Sequence, residues 1–123
     1  MTVEKKLYIH GVKGKMSETM LKDGSIFQQW NAQRIVKDGS KRFKAKISLT
    51  LDKKVFKIFT LLFVYKRSWN LINSGFACEE AMKFFPELIH LTKYNRTLLD
   101  TDPKMREDLE SAGFLCDLPV TNN

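Results

Sequence analysis

KDGSIFQQWNAQRIVKDGS, residues 22–40, opens and closes on the same tetrapeptide, and the state of the eleven residues between decides the fold. In a helical frame, Ser25 and Gln28 make a capping box, Gln, Ala and Arg favour the helix interior, and Gly39 terminates it. In an extended frame, each Asp-Gly pair is a hairpin turn and residues 19–49 form a β-meander. The helix is the expectation for residues 25–37, and the meander is its competitor.

Downstream, KRFKAKISLTLDKKVFKIFTLLFVYKR (41–67) has a period of two. Phe43, Ala45, Ile47, Leu49 and Leu51 alternate with Arg42, Lys44, Lys46, Ser48 and Thr50, which predicts a strand with one apolar and one basic face. Residues 55–65, rich in Val, Phe, Ile, Thr and Tyr, supply the return strand. A two-residue turn at Asp52-Lys53 sets Leu49 opposite Phe56 and Ile47 opposite Ile58 on the apolar side. On the other side it sets Arg42 opposite Phe63, Lys44 opposite Leu61 and Lys46 opposite Phe59. Loop length governs this outcome, since a one-residue change moves Phe59 and Phe63 into the core. Apolar residues on both faces of the return strand also allow a second reading, in which a layer covers those rings and the lysine stems snorkel past its edge.

Elsewhere, residues 6–12 read as a short strand, and Ser17 caps a brief helix ending near Leu21. Beyond Arg67, helical spacing of Phe76, Ala77, Ala81, Phe84 and Phe85 follows a cap at Asn73 or Ser74, and Pro86 breaks or restarts the helix. A last helix is marked by Asp102 as cap, Pro103 at its first position and a Gly113-Phe114 end that packs on Leu109. Residues 117–123 read as a flexible tail. The expected fold class is α+β in a single domain over 1–123: a small antiparallel sheet centred on a long β-hairpin (about 41–66), helices before it and a helical C-terminal third.

Charge is unevenly placed. Residues 1–40, 41–67 and 68–123 carry net charges of +3, +8 and −4, so a basic region (1–67) adjoins an acidic helical one (68–116). Such an oriented field attracts nucleic acid, an anionic membrane or an acidic protein surface. No stretch approaches the ~20 apolar residues of a membrane-crossing helix, and the N-terminal residues lack the apolar run of a signal peptide. Cys78 and Cys116 suggest neither a disulfide framework nor a zinc site, and the expected location is intracellular. The Asn95-Arg96-Thr97 sequon is then fortuitous.

No constellation assembles nucleophile, base and oxyanion donors, and a non-enzymatic protein without cofactor or metal is expected. His10 and His90 have no Cys, Asp or Glu at ligand intervals. Gly11-Val12-Lys13-Gly14-Lys15 lacks the spacing of a P-loop, but as a basic loop it adds Lys13 and Lys15 to the electrostatic patch. Glu79 and Glu80 diverge by about 100° on a helix and do not face one another. Asp100 and Asp102 suit a helix start, Cys78 a buried small hydrophobe, and Trp30 and Trp69 the sealing of a core.

The composition points to a small basic binding protein that engages nucleic acid, single-stranded above all, through the basic face of the hairpin. Phe59 and Phe63 would stack bases. Arg42, Lys44, Lys46, Lys53, Lys54, Lys57, Lys66, Arg67, Lys13 and Lys15 would hold the backbone. The rival readings are a peripheral membrane or matrix-type assembly protein, and an inhibitor or adaptor that occupies a partner's nucleic-acid groove or acidic patch. In that last reading the acidic third of one copy meets the basic face of the next, giving a homo-oligomer.

Overall fold

The computed structural model describes residues 2–114 and consists mainly of one antiparallel sheet. Its strands follow the chain in a meander: β1 (Thr2–Ile9), β2 (Val12–Met20), β3 (Ile26–Asp38), β4 (Lys41–Asp52), β5 (Val55–Lys66) and β6 (Ser68–Phe76). A two-residue strand, β7 (Thr97–Leu98), pairs with the start of β5 beyond the end of β6. Among the described residues helical structure is confined to α1 (Glu79–Met82), a 3-10 segment at Pro86–Tyr94, a 3-10 turn at Leu99–Thr101, and α2 (Pro103–Ala112).

Strand makes up 56% of the structure and helix 23%, which overturns the expected helices ahead of the hairpin and the helical C-terminal third. Residues 26–38 are the longest strand of the sheet, and the competing meander is the arrangement found. Ser25 does not cap a helix, because Asp23 Oδ1 accepts its backbone N–H at 2.9 Å and its hydroxyl at 2.5 Å, closing the first KDGS as a turn. The second KDGS closes a two-residue turn at Gly39-Ser40 between paired Asp38 and Lys41. Helix propensities of a few tenths of a kcal/mol per residue are overridden by two ladders, to β2 over Ile26–Asn31 and to β4 over Gln28–Asp38, and by the burial of Trp30. Likewise Ser17–Met20 belongs to β2, and Asn73–Phe76 to β6, where Phe76 faces solvent and does not join the Ala81–Phe85 side. The final helix has the expected ends. Asp102 accepts the Lys104 N–H at 2.9 Å, Pro103 leads, and Phe114 N–H reaches Leu109 O at 3.0 Å past left-handed Gly113. The expected tail, residues 117–123, lies outside the described residues.

All helical segments pack on one face of the sheet. There Trp30, Ile47, Leu49, Phe56 and Ile58 from the strands meet Phe85, Leu88, Leu91, Leu99, Met105 and Leu109 in one hydrophobic cluster. Arg34 on β3 fastens the layers, donating to Phe84 O at 2.9 Å and, through both terminal nitrogens, to the Glu87 carboxylate at 3.0 Å. Trp30 crosses the sheet interior and donates its indole N–H to Leu7 O at 2.9 Å. Its ring occupies the space where Gly14 has no side chain. One covered face leaves the other open, and the alternating residues of every strand point there.

Candidate nucleic-acid interface

The β4–β5 turn falls at Lys53-Lys54, one residue later than expected, and the register moves by two. Leu49 pairs with Ile58 and Ile47 with Thr60 on the core side, whereas Lys44 pairs with Phe63, Lys46 with Leu61 and Ser48 with Phe59 on the open side. An even shift changes the partners and preserves the faces. Phe59 is therefore 38% exposed, Phe63 is half-buried, and among the described residues no helical segment lies over them.

On this face, among the described residues, the register gathers Lys6, Lys13, Lys15, Lys37, Arg42, Lys44, Lys46 and Lys57 against two acids, Glu4 and Asp52. Over β4–β6 the cations stand on rings. Arg42 lies 4.3 Å from the Tyr65 centroid, Lys44 lies 5.2 Å from that of Phe63 and 4.6 Å from that of Trp69, and Lys46 lies 5.7 Å from that of Phe63. Tyr65 and Trp69 meet edge to face at 5.2 Å, as do Phe59 and Phe76 at 5.4 Å, and Arg96 stands 5.2 Å from the Phe76 ring. A ring holds a cation in place without cancelling its charge. The ion pairs found among the described residues, Arg34–Glu87, Lys54–Asp100, Lys93–Asp108 and Arg106–Asp100, use none of the open-face cations.

Over β1–β4 the face sinks into a hollow of about 760 Å³. Lys6, Lys13, Lys15 and Lys46 surround it, Asn31, Gln33 and Ser48 form its polar floor, and Phe59 and Leu61 bound it toward β5. One row of cross-strand partners runs the width of the sheet: Lys6, Lys15, Asn31, Ser48, Phe59, Phe76. The row passes from cations through hydrogen-bonding side chains to aromatics.

Arg42, Lys44, Lys46, Lys57, Phe59 and Phe63 thus share one surface with Lys13 and Lys15, which stand on strand β2 and not on a loop. Lys53 and Lys54 occupy one end of β5, and Lys66 and Arg67 the other, separated by on the order of 40 Å at about 3.3 Å per residue. These four do not form a single site with one another. Lys54 is moreover ion-paired to Asp100 at 3.2 Å. Lys6, Asn31, Gln33, Ser48, Tyr65, Trp69 and Phe76 were not among the expected site residues. The outward alternation of Gln29, Asn31 and Gln33 was the signal available for the floor, and it was masked by the helical frame.

The other constellations resolve in structural terms. His10 and His90, eighty positions apart in the chain, meet edge to face at 4.6 Å. Burial first, and then the neighbouring His10, hold the His90 pKa below its ordinary value. Cys78 is half-buried ahead of the four-residue α1. Among the described residues no group of His, Cys, Asp and Glu is arranged to hold a metal ion, and no helix is long and apolar enough to cross a membrane.

No family model, no curated protein and no solved structure matches the chain. The chemistry of the open face therefore carries the functional reading.

Proposed function

We propose that this protein is a non-enzymatic single-stranded nucleic-acid-binding protein whose ligand lies on the open face of the sheet. The observation that carries the reading is the coincidence, on the face opposite the helices, of partly exposed rings with cations that enter no ion pair among the described residues: Arg42, Lys44 and Lys46 beside Phe59, Phe63, Tyr65 and Trp69. Lysine and arginine neutralise phosphates and release counterions, and aromatic faces and edges accept bases without regard to sequence. A duplex is a poorer fit, because stacking needs bases that are not already stacked on a partner. The two widely separated cysteines favour a reducing, intracellular setting.

Fluorescence anisotropy with a labelled oligonucleotide of mixed sequence tests the reading. About six phosphate contacts give a loss of roughly three decades in affinity between 50 and 200 mM salt. Charge reversal by Lys44→Glu and Lys46→Glu together flattens that slope by about two contacts, and Phe59→Ala costs about 1–3 kcal/mol of binding with the slope unchanged. Affinity that is indifferent to salt, or binding to phosphatidylserine vesicles in place of oligonucleotides, would overturn it.

A further inference from the structure

Lys6 and Lys15 stand directly opposite each other across β1 and β2, a like-charge pairing that costs stability. Lys13 and Lys46 line the same hollow, and Glu4 is the single acid of the described residues in its wall. On the floor, Asn31 Oδ1 accepts from Ser48 Oγ at 2.6 Å and from Gln29 Nε2 at 3.1 Å. Its acceptor is occupied, and its amide nitrogen remains to donate. Lys6 pairs directly with Lys15, Lys13 lies two residues from Lys15 on the same face of β2, and Asn31 pairs with Lys15, so three ammonium groups and an amide donor adjoin one end of the hollow, with Lys46 two strands from Lys15 and beside Phe63. They call for a ligand with several acceptor oxygens and more than one negative charge at a point.

A phosphodiester within a strand carries one negative charge, whereas a phosphomonoester carries about 1.5 to 2 with three terminal oxygens. We propose that the hollow binds the phosphomonoester of a nucleotide, with Lys6, Lys13 and Lys15 around the phosphate and Asn31 donating from the floor. This deepens the nucleic-acid reading and rests on it: the nucleotide is the phosphorylated end of the bound strand. From Lys15 on β2 to Phe59 on β5 the row crosses three strand spacings, about 14 Å. The strand leaves the hollow over Asn31 and Ser48 and sets its first bases against Phe59 and Phe76. Glu4, which adjoins the hollow opposite Ser17, disfavours a backbone that continues past Lys6, and so selects an end over an interior segment.

The experiment uses the full chain and one oligonucleotide sequence in three forms: 5′-phosphorylated, 3′-phosphorylated and hydroxyl-ended. A nucleoside monophosphate and inorganic phosphate serve as competitors. One phosphorylated form binds about tenfold tighter than the hydroxyl-ended form. In the Lys6→Gln/Lys15→Gln variant that preference disappears, the hydroxyl-ended form loses less, and the melting temperature rises because the facing charges are gone. Binding of all three oligonucleotides with equal affinity overturns the phosphate site and leaves the proposed function standing. Competition by the monophosphate without binding of any oligonucleotide supports the site and overturns the strand. Equal competition by inorganic phosphate and the monophosphate overturns the assignment to a nucleotide.

Discussion

Lys44 Nζ lies 4.6 Å from the centre of the Trp69 ring, so a cation of β4 and an indole of β6 meet across the full width of β5. The contact orders a long side chain on an open face and leaves its charge free for an anion. It also places a fluorophore in the proposed interface.

Trp30 is fully buried on the core side and is shielded from anything that binds outside. Ligand on the open face therefore changes the emission of Trp69 alone. We expect oligonucleotide titration to quench part of the tryptophan fluorescence, Trp69→Phe to abolish the response, and affinity in that variant to fall by no more than about tenfold. A response that survives Trp69→Phe would place the ligand elsewhere.

Gly14 is required for space and not for backbone conformation. A Cβ there would lie 2.4 Å from Trp30 Cε2 and 2.6 Å from Asn31 O, against a buried ring and a strand backbone that cannot both retreat. Gly14→Ala is expected to destabilise the fold by about 3 kcal/mol, measured by urea denaturation, with the loss relieved in part by Trp30→Phe.

Lys53 and Lys54 form the β4–β5 turn with φ of +50° and +71°, values that residues with a Cβ adopt at a cost. Asparagine tolerates the left-handed region best among such residues. Lys53→Asn should stabilise the protein by about 0.5–1 kcal/mol while altering nucleic-acid affinity little, since Lys53 stands at the end of the sheet.

Burial first, and then the hydroxyl donated to Asp108, raise the Tyr94 pKa to about 12, while the same bond holds Asp108 below the usual carboxylate range. A tyrosine whose folded pKa is raised contributes stability that is complete below its unfolded pKa near 10 and is lost as pH climbs through about 12. For Asp108 the sign is opposite, with stability lost as pH falls below 3.8 toward its depressed folded value. Ultraviolet titration should show one late-ionising tyrosine that Tyr94→Phe removes, together with a shallower alkaline fall in melting temperature.

Part of this architecture is legible from residue order. The alternation in Arg42–Leu51 is local and strong, and with a two-residue turn at either Asp52-Lys53 or Lys53-Lys54 it sets Lys44 and Lys46 on one face with Phe59 and Phe63 of the return strand. The ends of α2 were readable for the same reason, since Asp102, Pro103 and Gly113 act within a few bonds of the backbone they cap. Residues 26–38 were not readable, because their helix-favouring composition is opposed only by partners on β2 and β4, which no local signal announces. Ser68–Phe76 was obscured in the same way, its apolar residues serving an edge strand and not a helix.

Residue order by itself determined the charge asymmetry, the period-two faces of the central hairpin and the signals that end the last helix. Tertiary structure alone decided that the meander extends to six strands, that the helical segments cover one side of it, and that Lys6, Lys15, Asn31 and Phe59 fall in one line. The physical reason is range. Side-chain alternation and capping follow from adjacent backbone geometry, whereas the choice of neighbouring strands and of the face to bury depends on apolar area that only distant segments can supply.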